Sequence, residues 1–180
     1  MNVQRHLSNL ALIGFMGTGK SCVGRMLATQ LRFDFVDTDQ LIEARAGRTI
    51  AMIFEQAGEE VFRSIERQVV SELSHLQRTV IATGGGLAAN ADNLASLKQH
   101  ALVVCLWGSS ETIWERVRGQ NHRPLLRAPD PMEKIRQLLA ARAPFYRQAD
   151  VLISTDMRSI KEVVFHVRHE FELARRQQAE

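Results

Sequence analysis

Apolar residues along the chain fall into five short continuous runs, separated by longer segments in which apolar positions recur with helical spacing. Short apolar runs between polar boundaries are typical of buried strands, and their alternation with helices is typical of a parallel sheet covered on both faces. The strand-like runs are Leu10–Ile13, Phe33–Val36, Thr79–Ala82, Ala101–Trp107 and Val151–Ile153. The clearest helical segments are Val23–Leu31, Val61–Leu76 and Pro131–Tyr146. The pattern therefore predicts a three-layer α/β fold.

Two predicted helix starts carry chemical signals of their own. Asp130-Pro131 combines an N-cap acceptor with a proline suited to the first helical position. Ser159 and Glu162 have the spacing of a capping box for the last helix. No internal repeat, low-complexity tract or linker divides the sequence, so we expect residues 1–180 to form a single domain.

The segment Gly14–Ser21 reads Gly-Phe-Met-Gly-Thr-Gly-Lys-Ser and matches the phosphate-binding pattern G-x-x-x-x-G-K-[ST]. It lies between a strand-like run and a helical segment, which is the context that a P-loop requires. Glycines allow the backbone to curl so that its N–H groups face a phosphate, and the helix N-terminus adds its positive dipole end. Lys20 can then contact the β- and γ-phosphates, and Ser21 can bind Mg²⁺. A glycine-rich turn beside a surface lysine is the alternative, and the flanking pattern argues against it.

Polar or glycine-rich residues also follow the second, third and fourth strand-like runs. They are Asp37-Thr38-Asp39, Gly84-Gly85-Gly86 and Gly108-Ser109. Ligands of open parallel sheets bind at the carboxyl ends of the strands, so these segments and the P-loop are expected to line one crevice.

Asp37 and Asp39 are the candidate acidic residues, because the run Thr79–Ala82 ends without one. We expect Asp37 to hold Mg²⁺ through a bound water molecule, and Asp39 to orient or deprotonate a substrate hydroxyl. If the chain remains extended there, both side chains point the same way. The alternative is that either aspartate is only the N-cap of a following helix.

The remaining candidates are weaker when each is considered alone. The glycine triplet can be a simple turn, or it can let a ligand approach the backbone. Arg63 lies three residues before Glu66, where a surface ion pair is the default interpretation. The polar segment 119–129, punctuated by glycine and proline, is typical of a mobile lid. Within it, Arg123 either neutralises the transferred phosphoryl group or is simply solvated.

Composition narrows the class of protein. The chain is 45% hydrophobic and 24% charged, as is ordinary for a globular protein, and its net charge of +3 is too small to imply nucleic acid. Only four of the 23 basic residues are lysine, and this arginine bias suits an anionic small-molecule ligand. No apolar run is long enough for a membrane span, and the N-terminus lacks a signal-peptide core, so we expect a cytoplasmic protein. We expect Cys22 and Cys105 to be packing residues, and the histidines to form no metal site.

The ordered set of motifs resembles the shikimate kinase family over nearly the whole chain. The motifs are Gly14–Ser21, Asp37-Thr38-Asp39, Gly58-Glu59-x-x-Phe62-Arg63-x-x-Glu66, Gly84-Gly85-Gly86, Arg123-Pro124-Leu125-Leu126 and Arg142-x-Pro144-x-Tyr146. The resemblance implies a nucleoside-monophosphate-kinase-like fold with five parallel strands in the order 2-3-1-4-5. It also implies ATP- and Mg²⁺-dependent phosphorylation of the shikimate 3-hydroxyl, in the route to aromatic amino acids. We expect a monomer whose partners are ATP, ADP and shikimate, with a substrate-binding helical region near 38–77.

Site residues follow from the resemblance position by position. It implies catalytic roles for Lys20, Asp39 and Arg123, and metal binding by Ser21 and Asp37. The implied ATP-binding residues are Gly17, Thr18, Gly19, Lys20, Ser21, Cys22, Arg116, Arg123 and Arg158, of which Arg116 and Arg158 would flank adenine. The implied substrate-binding residues are Asp39, Arg63, Gly84, Gly85, Gly86 and Arg142, with the two arginines on the shikimate carboxylate.

Three alternatives remain at the level of sequence. A kinase of the same fold can act on another small polyol acid such as gluconate, although Arg63, Arg142 and Asp39 together argue against it. Nucleotide kinases and GTPases fit less well, because the chain has no Asn-Lys-x-Asp motif and no Asp-x-x-Gly after the third strand. A non-catalytic ATP-binding module is the third alternative, but no member of the catalytic set is missing.

Overall fold

Strands and helices alternate along the chain in the computed structural model, which describes residues 5–119 and 129–178. The strands are β1 (Asn9–Ile13), β2 (Asp34–Asp37), β3 (Thr79–Ala82), β4 (Ala101–Trp107) and β5 (Val151–Ser154). The α-helices are α1 (Lys20–Leu31), α2 (Thr38–Ala46), α3 (Ile50–Leu73), α4 (Ala91–His100), α5 (Ser110–Val117), α6 (Pro131–Tyr146) and α7 (Ile160–Gln177). A 3₁₀ turn covers Leu87–Ala89.

The five strands form one parallel sheet in the order β2-β3-β1-β4-β5, which confirms the predicted order. β1 is the central strand, and its Leu10 is in register with Val80 of β3 and Leu102 of β4. The connections after β1, β2 and β3 therefore emerge at the same edge of the sheet. This topology brings the P-loop, the two aspartates and the glycine triplet to one place.

Each face of the sheet buries its own apolar layer, because side chains alternate across a strand. On β1, Leu10 and Leu12 belong to the cluster that packs under α1 and α7. Ala11 and Ile13 belong to the cluster on the opposite face, which packs against α3, α4, α5 and α6. All four side chains are fully buried. The result is the predicted three-layer arrangement of helices, sheet and helices.

A smaller apolar cluster joins α2 to α3 beside the main core. Its buried members are Ile42, Ile53, Phe62 and Val69. α3 is bent at Gly58, whose φ of 80° and ψ of 174° interrupt the helical backbone. The helical pattern predicted from Val61 covers only the part after this bend, and the helix ends at Leu73 instead of Leu76.

The predicted helix caps are present. The Asp130 side chain accepts a hydrogen bond from the Glu133 amide, with Pro131 in the first turn of α6. Ser159 and Glu162 form the complete capping box of α7. No helix within residues 5–119 and 129–178 combines the length and apolar character needed to cross a bilayer.

Candidate active site

A cavity of about 330 Å³ opens at the carboxyl ends of β1, β2 and β3. Its walls are formed by Met16, Gly17, Gly19, Lys20, Ser21, Cys22, Asp37, Asp39, Thr83, Gly85 and Arg116. The P-loop lysine and both candidate aspartates thus face a single space. This convergence follows from the parallel arrangement of the strands, whose carboxyl ends share one edge of the sheet. Lys20 begins the helix after β1, Asp37 ends β2, and Asp39 lies in the first turn of α2.

The P-loop has the backbone conformation that its glycines allow. Gly14 and Gly17 have φ values of 134° and 76°, which L side chains rarely adopt. There is also no space for a side chain at Gly14, where a Cβ would lie 2.3 Å from the carbonyl oxygen of Leu106. The loop ends at Lys20, the first residue of α1, so the amino-terminal end of that helix, with its positive dipole end, lies at the cavity.

Lys20 is held against the loop that precedes it. Its Nζ donates hydrogen bonds to the carbonyl oxygens of Gly14, at 2.9 Å, and Phe15, at 2.8 Å. The Thr18 hydroxyl also donates to the Phe15 carbonyl, at 2.8 Å. The residue is only 8% exposed and lines the cavity, so its positive charge is largely withdrawn from bulk solvent.

Ser21 and Asp37 provide a pair of neighbouring oxygen atoms. The Ser21 hydroxyl donates to Asp37 Oδ2 at 2.7 Å, and both residues line the cavity next to Lys20. Hydroxyl and carboxylate oxygens suit Mg²⁺, which takes few protein ligands and retains water and substrate phosphates. Within the described part of the chain, no group of three or more histidine, cysteine, aspartate or glutamate residues could hold a metal ion.

Asp37 is the N-cap of α2, and the chain does not remain extended as far as Asp39. The Asp37 side chain accepts a hydrogen bond from the Asp39 amide at 3.1 Å, and the helix begins at Thr38. The premise of an extended segment was therefore wrong. The helical turn nevertheless brings both carboxylates to the same cavity, because α2 starts directly at its edge.

The carboxyl group of Asp39 is more basic than an ordinary aspartate. Burial, followed by repulsion from the Asp37 carboxylate, raises its pKa from 3.8 to about 6, and the positive charge of Lys20 opposes the rise. Glu66 and Glu43 add smaller repulsions. A carboxylate with this pKa is still ionised at neutral pH and accepts a proton more readily than an exposed one.

Two arginines from different helices meet beside the glycine triplet. Arg63 comes from α3 and Arg142 from α6, and both guanidinium groups lie close to Gly86. A Cβ built on Gly86 would be 3.4 Å from the terminal nitrogens of Arg63 and 3.8 Å from Arg142 Nη2. Arg142 Nη1 also donates to the carbonyl oxygen of Gly85 at 3.2 Å. This pair of forked donors can hold a carboxylate.

The ion pair between Arg63 and Glu66 is not a surface pair, so the default interpretation was wrong. Arg63 Nη1 donates to Glu66 Oε2 at 2.9 Å, and the Glu66 side chain is only 3% exposed. Burial raises the pKa of Glu66, while the hydrogen bond from Arg63 works in the opposite direction. The i,i+3 spacing was visible in the sequence, but it carries no information on burial.

The residues predicted to contact the nucleotide lie in different surroundings. Arg116 lines the cavity and donates to Thr155, to Oγ1 at 2.9 Å and to the carbonyl oxygen at 2.8 Å. Arg158 donates to the Ser154 carbonyl at 3.0 Å and does not line the cavity. Arg123 lies outside the described residues, as does most of the predicted lid.

The two cysteines differ in their surroundings. Cys22 is exposed and lines the cavity, so its interpretation as a packing residue was wrong. Cys105 is a packing residue as predicted, since burial in β4 raises the pKa of its thiol to about 12.

Thr38, Thr83 and Tyr146 were not assigned a role from the sequence. The Thr38 hydroxyl accepts a hydrogen bond from the Gly84 amide at 2.9 Å and is completely buried. Thr83 lines the cavity, with its hydroxyl donating to the Leu12 carbonyl at 3.0 Å. Tyr146 donates to the Gly85 carbonyl at 2.6 Å. In the sequence, Thr38 lay between two candidate aspartates and Tyr146 ended the motif Arg142-x-Pro144-x-Tyr146, but neither position indicated these contacts.

Comparison with known proteins gives a consistent result. The family model for shikimate kinase matches residues 16–172. A shikimate kinase of Caldanaerobacter subterraneus subsp. tengcongensis is 44% identical over 161 residues, which cover 89% of this chain and 94% of the relative.

Solved structures separate the candidate families. A shikimate kinase from Acinetobacter baumannii, in complex with shikimate, superposes with a TM-score of 0.86 at 40% identity, covering 91% of this chain and 92% of that one. A gluconokinase from Sinorhizobium meliloti reaches a TM-score of 0.63 at 17% identity, covering 96% of this chain and 97% of that one, and this likeness shows the fold alone. The chain, with its P-loop, paired aspartates and arginine pair around one cavity, belongs to the shikimate kinase family.

Proposed function

We propose that this protein transfers the γ-phosphoryl group of ATP to the 3-hydroxyl of shikimate, giving shikimate 3-phosphate and ADP for aromatic amino acid synthesis. The observation that carries the proposal is the single cavity onto which both Lys20 and Asp39 open, next to the Arg63 and Arg142 pair. The cavity brings together a phosphate-binding loop, the basic carboxylate of Asp39 and a pair of arginines that can bind a substrate carboxylate. The shikimate bound to the Acinetobacter relative supports the choice of substrate.

The nucleotide phosphates bind to the P-loop in this proposal. The N–H groups at the start of α1 receive the phosphate oxygens, and Lys20 moves its ammonium group from the Gly14 and Phe15 carbonyls onto them. The segment Gly17–Cys22 wraps the phosphates, while Arg116 and Arg158 flank the adenine. Ser21 and Asp37 hold Mg²⁺, which neutralises negative charge on the phosphates when it is bound.

Asp39 acts on the acceptor hydroxyl. Its raised pKa of about 6 makes it a suitable acceptor for the hydroxyl proton as the oxygen attacks the γ-phosphorus. Positioning and charge stabilisation supply the rest of the rate, since phosphoryl transfer needs little other chemistry from the protein. We assign to Arg123, in the lid segment, the stabilisation of charge on the transferred group.

The carboxylate of shikimate binds between Arg63 and Arg142. Two guanidinium groups give bidentate recognition of a carboxylate, and the bare backbone of Gly84–Gly86 lets the ring approach closely. Glu66 holds Arg63 in place from the buried side. The distance between the carboxylate clamp and the P-loop then determines which hydroxyl faces the γ-phosphate.

A coupled ADP-release assay tests the proposal. With ATP and MgCl₂, we expect shikimate to accelerate ADP release by more than ~100-fold over the rate with water alone, consistent with the contribution of a positioned base. Gluconate serves as the matched polyol acid and should give less than a tenth of the shikimate rate. Removing Mg²⁺ with EDTA should abolish the reaction. Faster ADP release with gluconate than with shikimate would overturn the assignment.

We further propose that the protein works in the cytoplasm as a monomer, without nucleic acid as a partner. Its two cysteines are free thiols, as suits a reducing compartment. Light scattering coupled to gel filtration checks the oligomeric state, and RNA or DNA retention at physiological salt would contradict the last point.

A further inference from the structure

The carbonyl oxygen of Gly85 receives two hydrogen bonds from a single helix. Tyr146 Oη donates to it at 2.6 Å and Arg142 Nη1 at 3.2 Å. Arg142 and Tyr146 are four residues apart on α6, which places them on the same helix face. The carbonyl that they share belongs to the glycine triplet after β3, and Gly85 itself lines the cavity.

The Tyr146 side chain is fixed in position, and its hydroxyl donates to the Gly85 carbonyl. The residue is 1% exposed, and its ring meets Trp107 edge to face, with centroids 6.5 Å apart and an interplanar angle of 78°. Burial raises the pKa of its hydroxyl to about 12, although the nearby Arg142 charge acts in the opposite direction. The phenol therefore stays protonated at neutral pH, and its O–H group donates to the Gly85 carbonyl.

The opposite end of the triplet is held by a second buried hydroxyl. The Thr38 hydroxyl accepts a hydrogen bond from the Gly84 N–H at 2.9 Å. The loop is therefore hydrogen-bonded both to α2, through Thr38, and to α6, through Tyr146. The Gly85 carbonyl and the Gly86 N–H share one planar trans peptide and point in opposite directions. Fixing the carbonyl toward Tyr146 therefore fixes the Gly86 N–H away from it.

We propose that Tyr146 is a positioning residue for the acceptor substrate: it orients the Gly85–Gly86 peptide and keeps the Gly85 carbonyl paired when Arg142 turns to the substrate carboxylate. This inference rests on the proposed function. A carbonyl oxygen has two lone pairs, and the short bond from Tyr146 uses one of them. Without it, Arg142 is the side chain left to satisfy this carbonyl, and a carboxylate has to compete for the guanidinium group.

The substitution Tyr146→Phe removes the hydroxyl and keeps the ring. Because one hydrogen bond is lost, we expect the KM for shikimate to rise about 3- to 10-fold. The KM for ATP should stay within about twofold, because the Tyr146 hydroxyl donates its hydrogen bond to the Gly85 carbonyl and not to the P-loop. In an Arg142→Ala background the same substitution should change the shikimate KM by less than about twofold, since the two residues act through one carbonyl.

Thr79→Val is the matched control. Thr79 lies at the opposite end of β3, is equally buried, and its hydroxyl donates to the Gln77 carbonyl at 3.0 Å. The control loses a buried hydroxyl and some stability, but both KM values should remain those of the wild type. A rise in both KM values of Tyr146→Phe, or in neither, would overturn the inference.

A second measurement covers the case in which Tyr146→Phe folds poorly. Tyr146 is the only tyrosine in the chain, so growth with 3-fluorotyrosine labels this position alone. We expect its ¹⁹F resonance to shift when shikimate saturates the otherwise unaltered enzyme, and an unmoved resonance would refute the inference.

If the wild type turns over shikimate but Tyr146→Phe has the same kinetic constants as the wild type, only the inference fails. If the wild type releases no ADP with shikimate, the proposed function fails and the inference with it.

Discussion

A carboxylate oxygen of Asp39 occupies the space that a side chain on Gly84 would need. A Cβ built on Gly84 would lie 2.3 Å from Asp39 Oδ1 and 3.2 Å from its Cγ. Only glycine permits this contact, because the triplet after β3 and the first turn of α2 are in direct contact there. The position of the proposed base thus depends on the absence of a side chain at Gly84, in the loop after β3.

Gly84→Ala should therefore inactivate the enzyme without unfolding it. The added methyl group has to displace the Asp39 carboxylate, and a displacement of about 1 Å at a reacting group costs about 100-fold in rate. We expect kcat to fall by about that factor in the ADP-release assay. Gly108→Ala is the control at the end of β4, where the nearest atom to a Cβ is 3.4 Å away. Equal losses in both variants would contradict the steric explanation.

The pKa of Asp39 predicts the pH dependence of the reaction. Burial and the Asp37 charge raise this pKa to about 6, so the carboxylate becomes available as a base only as the pH rises through that value. We expect kcat/KM for shikimate to increase from pH 5 to 7 and then to level off.

Asp39→Asn should lower kcat by about 10²- to 10⁴-fold while ATP still binds, measured by calorimetry with MgATP. An unchanged rate in this variant would exclude Asp39 as the base.

The same substitution should stabilise the ligand-free protein above pH 6. Because the folded pKa lies above the ordinary aspartate value of 3.8, the folded state retains a proton that the unfolded state has lost, and stability falls as the pH rises between these two values. The side-chain amide of asparagine does not titrate, so the variant does not lose this stability as the pH rises. We expect Asp39→Asn to gain about 1–2 kcal/mol in urea unfolding at pH 7.5, and no gain at pH 4. Asp34→Asn, at an exposed site in β2, is the control and should leave the free energy of unfolding unchanged at both pH 7.5 and pH 4.

Arg142→Ala should weaken shikimate binding more than ATP binding. Arg142 points toward Gly85 and Gly86, and the loss of one charged partner of a carboxylate costs about 2–4 kcal/mol in a desolvated site. We expect the KM for shikimate to rise at least 30-fold and that for ATP by less than about threefold. Arg136→Ala on the same helix loses only an exposed ion pair with Glu111 at 3.2 Å and should behave as the wild type. A larger effect on ATP would refute the carboxylate clamp.

Asn9 should be important for stability and not for catalysis. Its buried side chain donates to the Leu76 carbonyl at 2.6 Å, accepts from the Thr79 amide at 3.0 Å and lies 3.0 Å from His100 Nδ1. Asn9→Ala leaves these groups without a partner at the amino end of the sheet. We expect a loss of about 2–4 kcal/mol in urea unfolding, with both KM values unchanged. Ser8→Ala loses one longer hydrogen bond, of 3.3 Å to the His100 carbonyl, and should cost less than about 1 kcal/mol.

Much of the fold could be predicted from local sequence patterns. The apolar runs correspond to the five strands within one or two residues, and the glycine pattern of Gly14–Ser21 is sufficient to predict the P-loop. Both predictions concern residues that are neighbours in sequence. The spacing of apolar residues indicates the strands, and the conformational freedom of glycine allows the P-loop backbone. The order of the strands was an expectation from resemblance, because strand pairing joins segments far apart in sequence.

The tertiary structure alone decided which polar residues are buried and what they touch. Glu66 had the spacing of a surface partner of Arg63, but it is buried where α3 packs against α4 and the Asn93 side chain donates to it. Tyr146 and Thr38 lie within sequence motifs but had no assigned role, and their contacts appear only when α6 and α2 meet the loop after β3. Local spacing specifies which side of a helix a residue lies on, whereas burial, pKa and hydrogen-bond partners depend on the segment that covers that side. Those segments come together only in the folded chain.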